Sequence, residues 1–120
     1  MAYVVRTKRD TIYELEFKGS KLQVCPLTNK ESSKLRKDFT TTKITRNGTE
    51  EKTDIDGMLL AKFKKMVRGW DFIDEDGNAL ECNDATKAEF MDLNIGDALE
   101  IITQIDDLGA KQEVSEEKNS

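Results

Sequence analysis

Histidine is absent from all 120 residues. That removes His-dependent nucleophilic relays and every metal centre that needs an imidazole ligand. Cysteine is scarce: Cys25 and Cys82 have no metal-ligand spacing and no apolar leader segment beside them, so free structural thiols in a reducing compartment are expected. No run of apolar residues reaches bilayer-spanning length, which points to the cytoplasm and to no membrane partner. Neither a GxGxxG nor a P-loop lysine pattern occurs. Aromatic residues number five Phe, two Tyr and one Trp, against 36% charged and 37% apolar residues. Such a chain suits one small domain with a thin core, some of whose missing burial a partner would supply.

What is abundant is charge, and it is unevenly placed. Residues 1 to 69 hold 16 Lys and Arg against 9 Asp and Glu, whereas residues 70 to 120 hold 3 against 15. Opposite poles of this kind steer a protein partner or favour head-to-tail association between copies. Lys62, Lys64, Lys65 and Arg68 cluster on one predicted helix, but no aromatic stacking platform accompanies them. An acidic half would repel a phosphate backbone, so nucleic acid is disfavoured as a partner.

Periodicity predicts an α+β fold in a single domain, with N-terminal β-hairpins and a mainly helical C-terminal half. Tyr13, Leu15 and Phe17 alternate with Glu14 and Glu16, and a Gly19-Ser20 turn leads to a return strand over residues 21–25. Thr28 to Glu31 reads T-x-x-E, a capping box for a helix to about Phe39, with Leu35 and Phe39 on one face. Residues 40–53 carry Asn47-Gly48, consistent either with a two-stranded hairpin or with a mobile exposed loop. The glycosylation-like NGT there reads as the turn itself. Asp54 or Asp56 caps the next helix, whose stripe of Met58, Leu59, Phe63, Met66 and Val67 ends at Gly69.

The acidic stretch GWDFIDEDGNALECN, residues 69–83, invites a calcium-loop reading. Register excludes it: with Gly77 in sixth place, Phe72 occupies the first ligand position and Asn83 the twelfth. DIDG at residues 54–57 fails likewise, with Lys52 first and Phe63 twelfth. Paired-carboxylate catalysis requires two acids in distinct environments at a set separation, which the cluster does not define. A turn uses the same residues more fully: Trp70, Phe72 and Ile73 anchor one side, Asp76-Gly77 reverses the chain, and Ala79-Leu80 return to the core. Asn83 or Asp84 then caps a helix to about Leu93, with Phe90 and Leu93 facing inward and Lys87 and Met91 on another side. Ala98, Ile101, Ile102, Ile105 and Leu108 form a second stripe from about Gly96, core in the first instance or a peptide groove otherwise. The compact domain is expected over residues 1–109, followed by a polar flexible tail over 110–120.

The run LLAKFKKMVRGWDFIDEDGNALECNDATKAEFMDL, preceded by a strand region and polar connector and followed by a short helical end, resembles small tail assembly chaperones and related tail-assembly proteins of long-tailed bacteriophages and prophages. The likeness covers roughly Leu22 to Ile105. It rests on a helix leading into Gly-Trp, an acidic D-G turn, and a Cys/Asn/Asp start to a hydrophobic helix. It implies a non-enzymatic protein without cofactor, acting in the host cytoplasm during virion morphogenesis. Such a protein keeps the tape measure protein soluble and helps major tail protein assemble around it. On that expectation the partner-facing residues are drawn from Phe63, Met66, Trp70, Phe72, Ile101 and Ile105. Two rivals stand beside it: a structural tail or head-tail joining subunit retained in the virion, and a small nucleic-acid-binding regulator.

Overall fold

The computed structural model describes residues 5–119, with side chains described as far as Leu108. The chain is α+β, in the order β1 (Tyr13–Phe17), β2 (Ser20–Val24), α1 (Asn29–Asp38), β3 (Thr40–Thr45), β4 (Gly48–Thr53), α2 (Ile55–Met66), β5 (Val67–Trp70), α3 (Asp84–Leu93) and α4 (Ile95–Asn119). A three-stranded antiparallel sheet has the order β1-β2-β5, and β3 pairs with β4 in a separate two-stranded sheet.

Alternation decides the inner face of the larger sheet. Leu15 and Phe17 on β1, Leu22 and Val24 on β2, and Val67 on β5 are buried, while Glu14, Glu16, Lys21 and Gln23 point outward. The β1–β2 reversal falls on Lys18 and Gly19, one residue earlier than the expected Gly19-Ser20, and Ser20 pairs with Phe17. Both turn residues take positive φ, +50° and +85°, as a tight hairpin matched to strand twist requires. Against this face pack Phe63 and Met66 of α2, Met91 of α3, and Ala98, Ile101, Ile102 and Ile105 of α4. The stripes of α2 and α4 are therefore core.

Thr28 caps α1 through a capping box. Its backbone N–H donates to Glu31 Oε1 at 3.0 Å and holds that carboxyl below its ordinary value of 4.5. Asp54 rather than Asp56 caps α2, accepting from the Gly57 N–H at 3.1 Å.

The C-terminus of α2 departs from the expected glycine stop. Gly69 lies inside β5 opposite Gln23, and the helix passes into the strand with no intervening loop. Ending a helix this way leaves its last carbonyls without helical partners, and each finds a different donor. Phe63 O accepts from the Val67 N–H. Lys64 O accepts from Lys87 Nζ of α3 at 3.1 Å, Lys65 O from Arg68 Nε at 2.9 Å, and Met66 O from the Cys25 N–H at 2.8 Å. Arg68 has no partner on β2, because the register skips it between Gly69 and Val67. This bulge turns its side chain back toward the helix end.

On α3 the expected inward side is only half kept: Phe90 packs against the core, while Leu93 gives way to Lys87 and Met91. Lys87 and Met91 are buried at 7% and 6% exposure, Phe90 is half-buried, and Leu93 is 71% exposed. Lys87 is inward because its ammonium serves the α2 carbonyl while its aliphatic stem fills the interior. After Asn94 the chain enters α4, which runs through Gly109 to Asn119 where a polar tail was expected. The Ala, Lys, Gln and Glu residues of that stretch are good helix formers, enough to carry one interior glycine.

The segment 40–53 is a hairpin. Thr40 pairs with Thr53 and Thr45 with Gly48, and it stands on a base made by Thr40 Oγ1 to Arg36 O at 2.6 Å and the Asp54 N–H to Phe39 O at 2.8 Å. From Thr41 to Lys52 every residue except Thr45 is exposed. The radius of gyration is 17.2 Å, against about 14 Å for a compact domain of this length. The projecting hairpin and the long α4 account for the excess.

Two stability comparisons follow from these contacts. Replacing Gly57 with Ala forfeits the usual helix gain of about 1 kcal/mol, because a Cβ there meets Asp54 Oδ2 at 2.5 Å and Phe39 Cε1 at 3.0 Å. Gly96→Ala in the first turn of α4, where a Cβ meets nothing within 4 Å, stabilises by up to about 1 kcal/mol, as urea melts of the two variants would read. Lys87→Met keeps the stem and loses about 1 kcal/mol with the hydrogen bond, whereas Lys87→Ala also opens a cavity and loses about 3 kcal/mol. Equal losses in the two variants would show that the ammonium alone matters.

Candidate protein-binding groove

The stretch from Trp70 to Asn83 builds one wall of a groove. Asp71 closes it onto β2: the Lys21 N–H donates to Asp71 Oδ1 at 2.9 Å, and the Asp71 N–H to Lys21 O at 3.2 Å. Asp74 Oδ1 accepts from the N–H groups of Asp76 and Asn78, both at 2.9 Å, and Gly77 takes φ +83°. The turn thus consumes Asp74 as a structural acceptor, a common use of aspartate in turns. Beyond it Ile73 bridges to Ala79, the Leu80 N–H donates to Phe72 O at 2.9 Å, and Thr86 Oγ1 donates to Glu81 O. Asn83 caps α3, accepting from the Thr86 N–H at 2.9 Å.

Trp70 fixes this loop to the domain. It lies opposite Leu22 on β5, and its indole N–H donates to Leu80 O at 2.8 Å. Its ring stacks on Phe72 at 4.8 Å between centroids and leans on Phe90 at 5.8 Å. Phe90 also meets Phe72 at 5.3 Å and stacks on Phe63 at 5.8 Å. Four aromatic rings therefore run without a break from the fully buried Phe63 to the surface, each pair in the offset or tilted range that rings favour.

At the outer end of this column lies an apolar groove of about 490 Å³ between the β1–β2 turn, the acidic loop and α3. Phe17, Phe72, Leu80 and Phe90 form its apolar lining, while Ile73 and Leu93 stand at it 66% and 71% exposed. Acids ring it: Asp74 and Glu75 from the loop, Glu89 from α3, and Asp97 from α4. Lys18 Nζ bridges to Asp97 at 2.9 Å, and that carboxylate raises the lysine above its ordinary 10.5. A second apolar hollow of about 440 Å³ lies on the other side of α3, lined by Leu59, Leu60, Met91 and Ile95 with Asp56 and Asp92 at its rim.

Of the six residues expected to face a partner, Phe63, Met66, Ile101 and Ile105 are wholly inside the core at 0% exposure. They cannot form a docking surface, because packing α2 and α4 against the sheet uses up both stripes. Phe72 lines the groove, and Trp70 stands behind it. Sequence reading missed Ile73 and Leu93 as surface residues. Leu93 was set inward by its spacing from Phe90, and only the burial of Lys87, which no periodicity foretells, rotates it outward. The basic cluster expected on α2 is partly committed: Lys62 Nζ pairs with Asp106 at 2.7 Å, Lys64 is half-buried, Lys65 is exposed, and Arg68, exposed on β5 rather than on the helix, donates through Nε to Lys65 O.

Both cysteines are free thiols. Burial pushes the Cys82 thiol above its ordinary 9.0, so it is a poor thiolate nucleophile at neutral pH. Among the described residues no helix is long and apolar enough to cross a membrane, and no cluster of three or more acidic or cysteine ligands is placed to hold a metal ion. Comparison with family models, with curated proteins and with solved structures returned no match.

Core and groove residues should separate in stability measurements. Ile73→Ser combined with Leu93→Ser shifts unfolding by less than about 1 kcal/mol and lowers the binding of an apolar dye. Phe63→Ala costs about 3–5 kcal/mol. A large loss from the surface pair, read in denaturant melts, would place those two side chains in the folding core.

Proposed function

We propose that this chain is a non-catalytic protein-binding domain, acting as a tail assembly chaperone of a long-tailed bacteriophage or prophage in the host cytoplasm. Its client is the tape measure protein, held soluble while tail tube subunits assemble. The observation that carries protein binding is the acid-rimmed groove, where exposed Ile73 and Leu93 adjoin an aromatic floor. Apolar side chains grouped at a concave surface suit the hydrophobic face of a client helix, and the surrounding carboxylates favour basic flanks on it. The tail-assembly assignment draws its support from the sequence pattern around Gly69-Trp70 and Asp76-Gly77. That pattern coincides with the residues that build the groove wall. The docking surface is accordingly the groove, in place of the α2 and α4 stripes.

The test is coexpression of the full chain with a tape measure fragment. The wild type keeps the fragment soluble and copurifies with it, while Ile73→Asp and Leu93→Asp each reduce recovery about tenfold, equivalent to about 1.4 kcal/mol. Unchanged recovery with both substitutions would remove the groove as the client site. The composition of purified virions decides the role: a chaperone is depleted from them, and a structural tail or joining subunit persists.

A further inference from the structure

The β3–β4 hairpin is costly to leave as it stands. Two-stranded hairpins are marginal in water unless a hydrophobic face packs on something. Here one face carries Thr40, Thr42 and Ile44 with Thr49, Glu51 and Thr53, and Ile44, near the turn, is 87% exposed. Arg46 lies in the turn beyond that isoleucine, and Lys43, across from Glu50, lies on the opposite face of the hairpin; neither cation has an ion-pair partner among the described residues. The groove is the counterpart in apolar character and in sign. It presents apolar Ile73 and Leu93 within a rim where Glu75 and Glu89 likewise lack an ion-pair partner among the described residues.

We propose that the hairpin tip of one copy seats in the acid-rimmed groove of a second copy, head to tail. Ile44 enters beside Ile73 and Leu93 from one face of the tip, while Arg46 at the turn and Lys43 on the other face meet the acidic walls at Glu75 and Glu89. A contact between two different patches is heterologous, so an open pair retains one free hairpin and one free groove. Such contacts propagate as an open chain or close into a ring, the smallest ring being a reciprocal pair in which each copy's hairpin fills the other's groove. The charge pairing makes the association sensitive to salt. This inference rests on the groove being a protein-binding surface, but not on the client being a tape measure protein. A client and a second copy would compete for the same groove.

Sedimentation velocity of the full chain from micromolar to millimolar concentration tests it. The wild type self-associates as concentration rises and dissociates as salt is added, and Ile44→Val behaves like the wild type. Lys43→Glu with Arg46→Glu on the hairpin, or Leu93→Lys in the groove, weakens association at least tenfold. Each variant is checked for wild-type circular dichroism, and Glu75→Lys with Glu89→Lys replaces Leu93→Lys if that variant fails to fold. The decisive sample is a 1:1 mixture of a hairpin variant with a groove variant. Each supplies the surface the other lacks, so the mixture forms a heterodimer that grows no further. A wild type that stays monomeric throughout, a hairpin variant that associates as the wild type does, or a mixture that remains monomeric overturns the proposal. Client recovery with the hairpin variant separates the two readings. Self-association without client capture sinks only the chaperone reading, and client capture without self-association sinks only this one.

Discussion

The direct passage from α2 into β5 is the constraint on which the architecture depends. A helix that turns into a strand with no loop leaves its terminal carbonyls to find donors outside the helix, and a buried acceptor left unpaired costs about 1–3 kcal/mol. Their donors come from the strand itself, the bulged Arg68, the end of β2 and the middle of α3. Sheet and helices are thereby joined through one set of hydrogen bonds that runs from the half-buried Lys87–Lys64 bond out to the exposed Arg68–Lys65 bond. Lys87 is the member with no apolar substitute, since only a long donor reaches Lys64 O from the neighbouring helix. Its inward position sets the rotation of α3, which puts Phe90 on the aromatic column and Leu93 at the surface.

Much of this was legible in the sequence wherever local chemistry and tertiary packing agree. The capping box at Thr28, the alternation through Leu15 and Phe17 and the apolar stripes of α2 and α4 each predict the element found, whereas the Asn47-Gly48 signal sits one residue late, because Thr45 pairs with Gly48 and the chain reverses over Arg46 and Asn47. The acidic stretch was also readable as a turn, because Asp and Gly residues have few other reasons to sit between Ile73 and Ala79. What could not be read was any feature that depends on a distant donor. Gly69 reads as a helix stop until β2 is seen to pair with it, and Lys87 reads as a solvent residue until the end of α2 is seen beside it. The groove follows the same logic. Its floor residues are apolar and predictable as such, but of its exposed lip Leu93 is turned outward by the rotation that Lys87 imposes, and Ile73 is held out on the loop by its bridge to Ala79.

Trp70 links these levels. On β5 it belongs to the sheet, through its ring it belongs to the column ending at Phe63, and through its indole N–H it holds Leu80 and with it the return of the acidic loop. The sequence posed a choice between a core anchor and a contact platform for this residue, and geometry joins the two. The buried side of the aromatic cluster stiffens the exposed side, so the groove is presented on a rigid support rather than on a free loop. Preformed surfaces of this kind lose less entropy on binding than surfaces that must first be ordered.

The base of the hairpin has a consequence for how the chain can vary. Phe39 O and the Asp54 N–H are joined by a hydrogen bond, so the chain leaves the domain and re-enters it at nearly the same point. Everything between is an excursion that the core does not sense. Loop-closure entropy changes slowly with length, so this excursion can be lengthened, shortened or replaced by a tight turn while α1 and α2 keep their places. The domain is in effect a closed circuit with a socket, and what is plugged into that socket can change without refolding the rest.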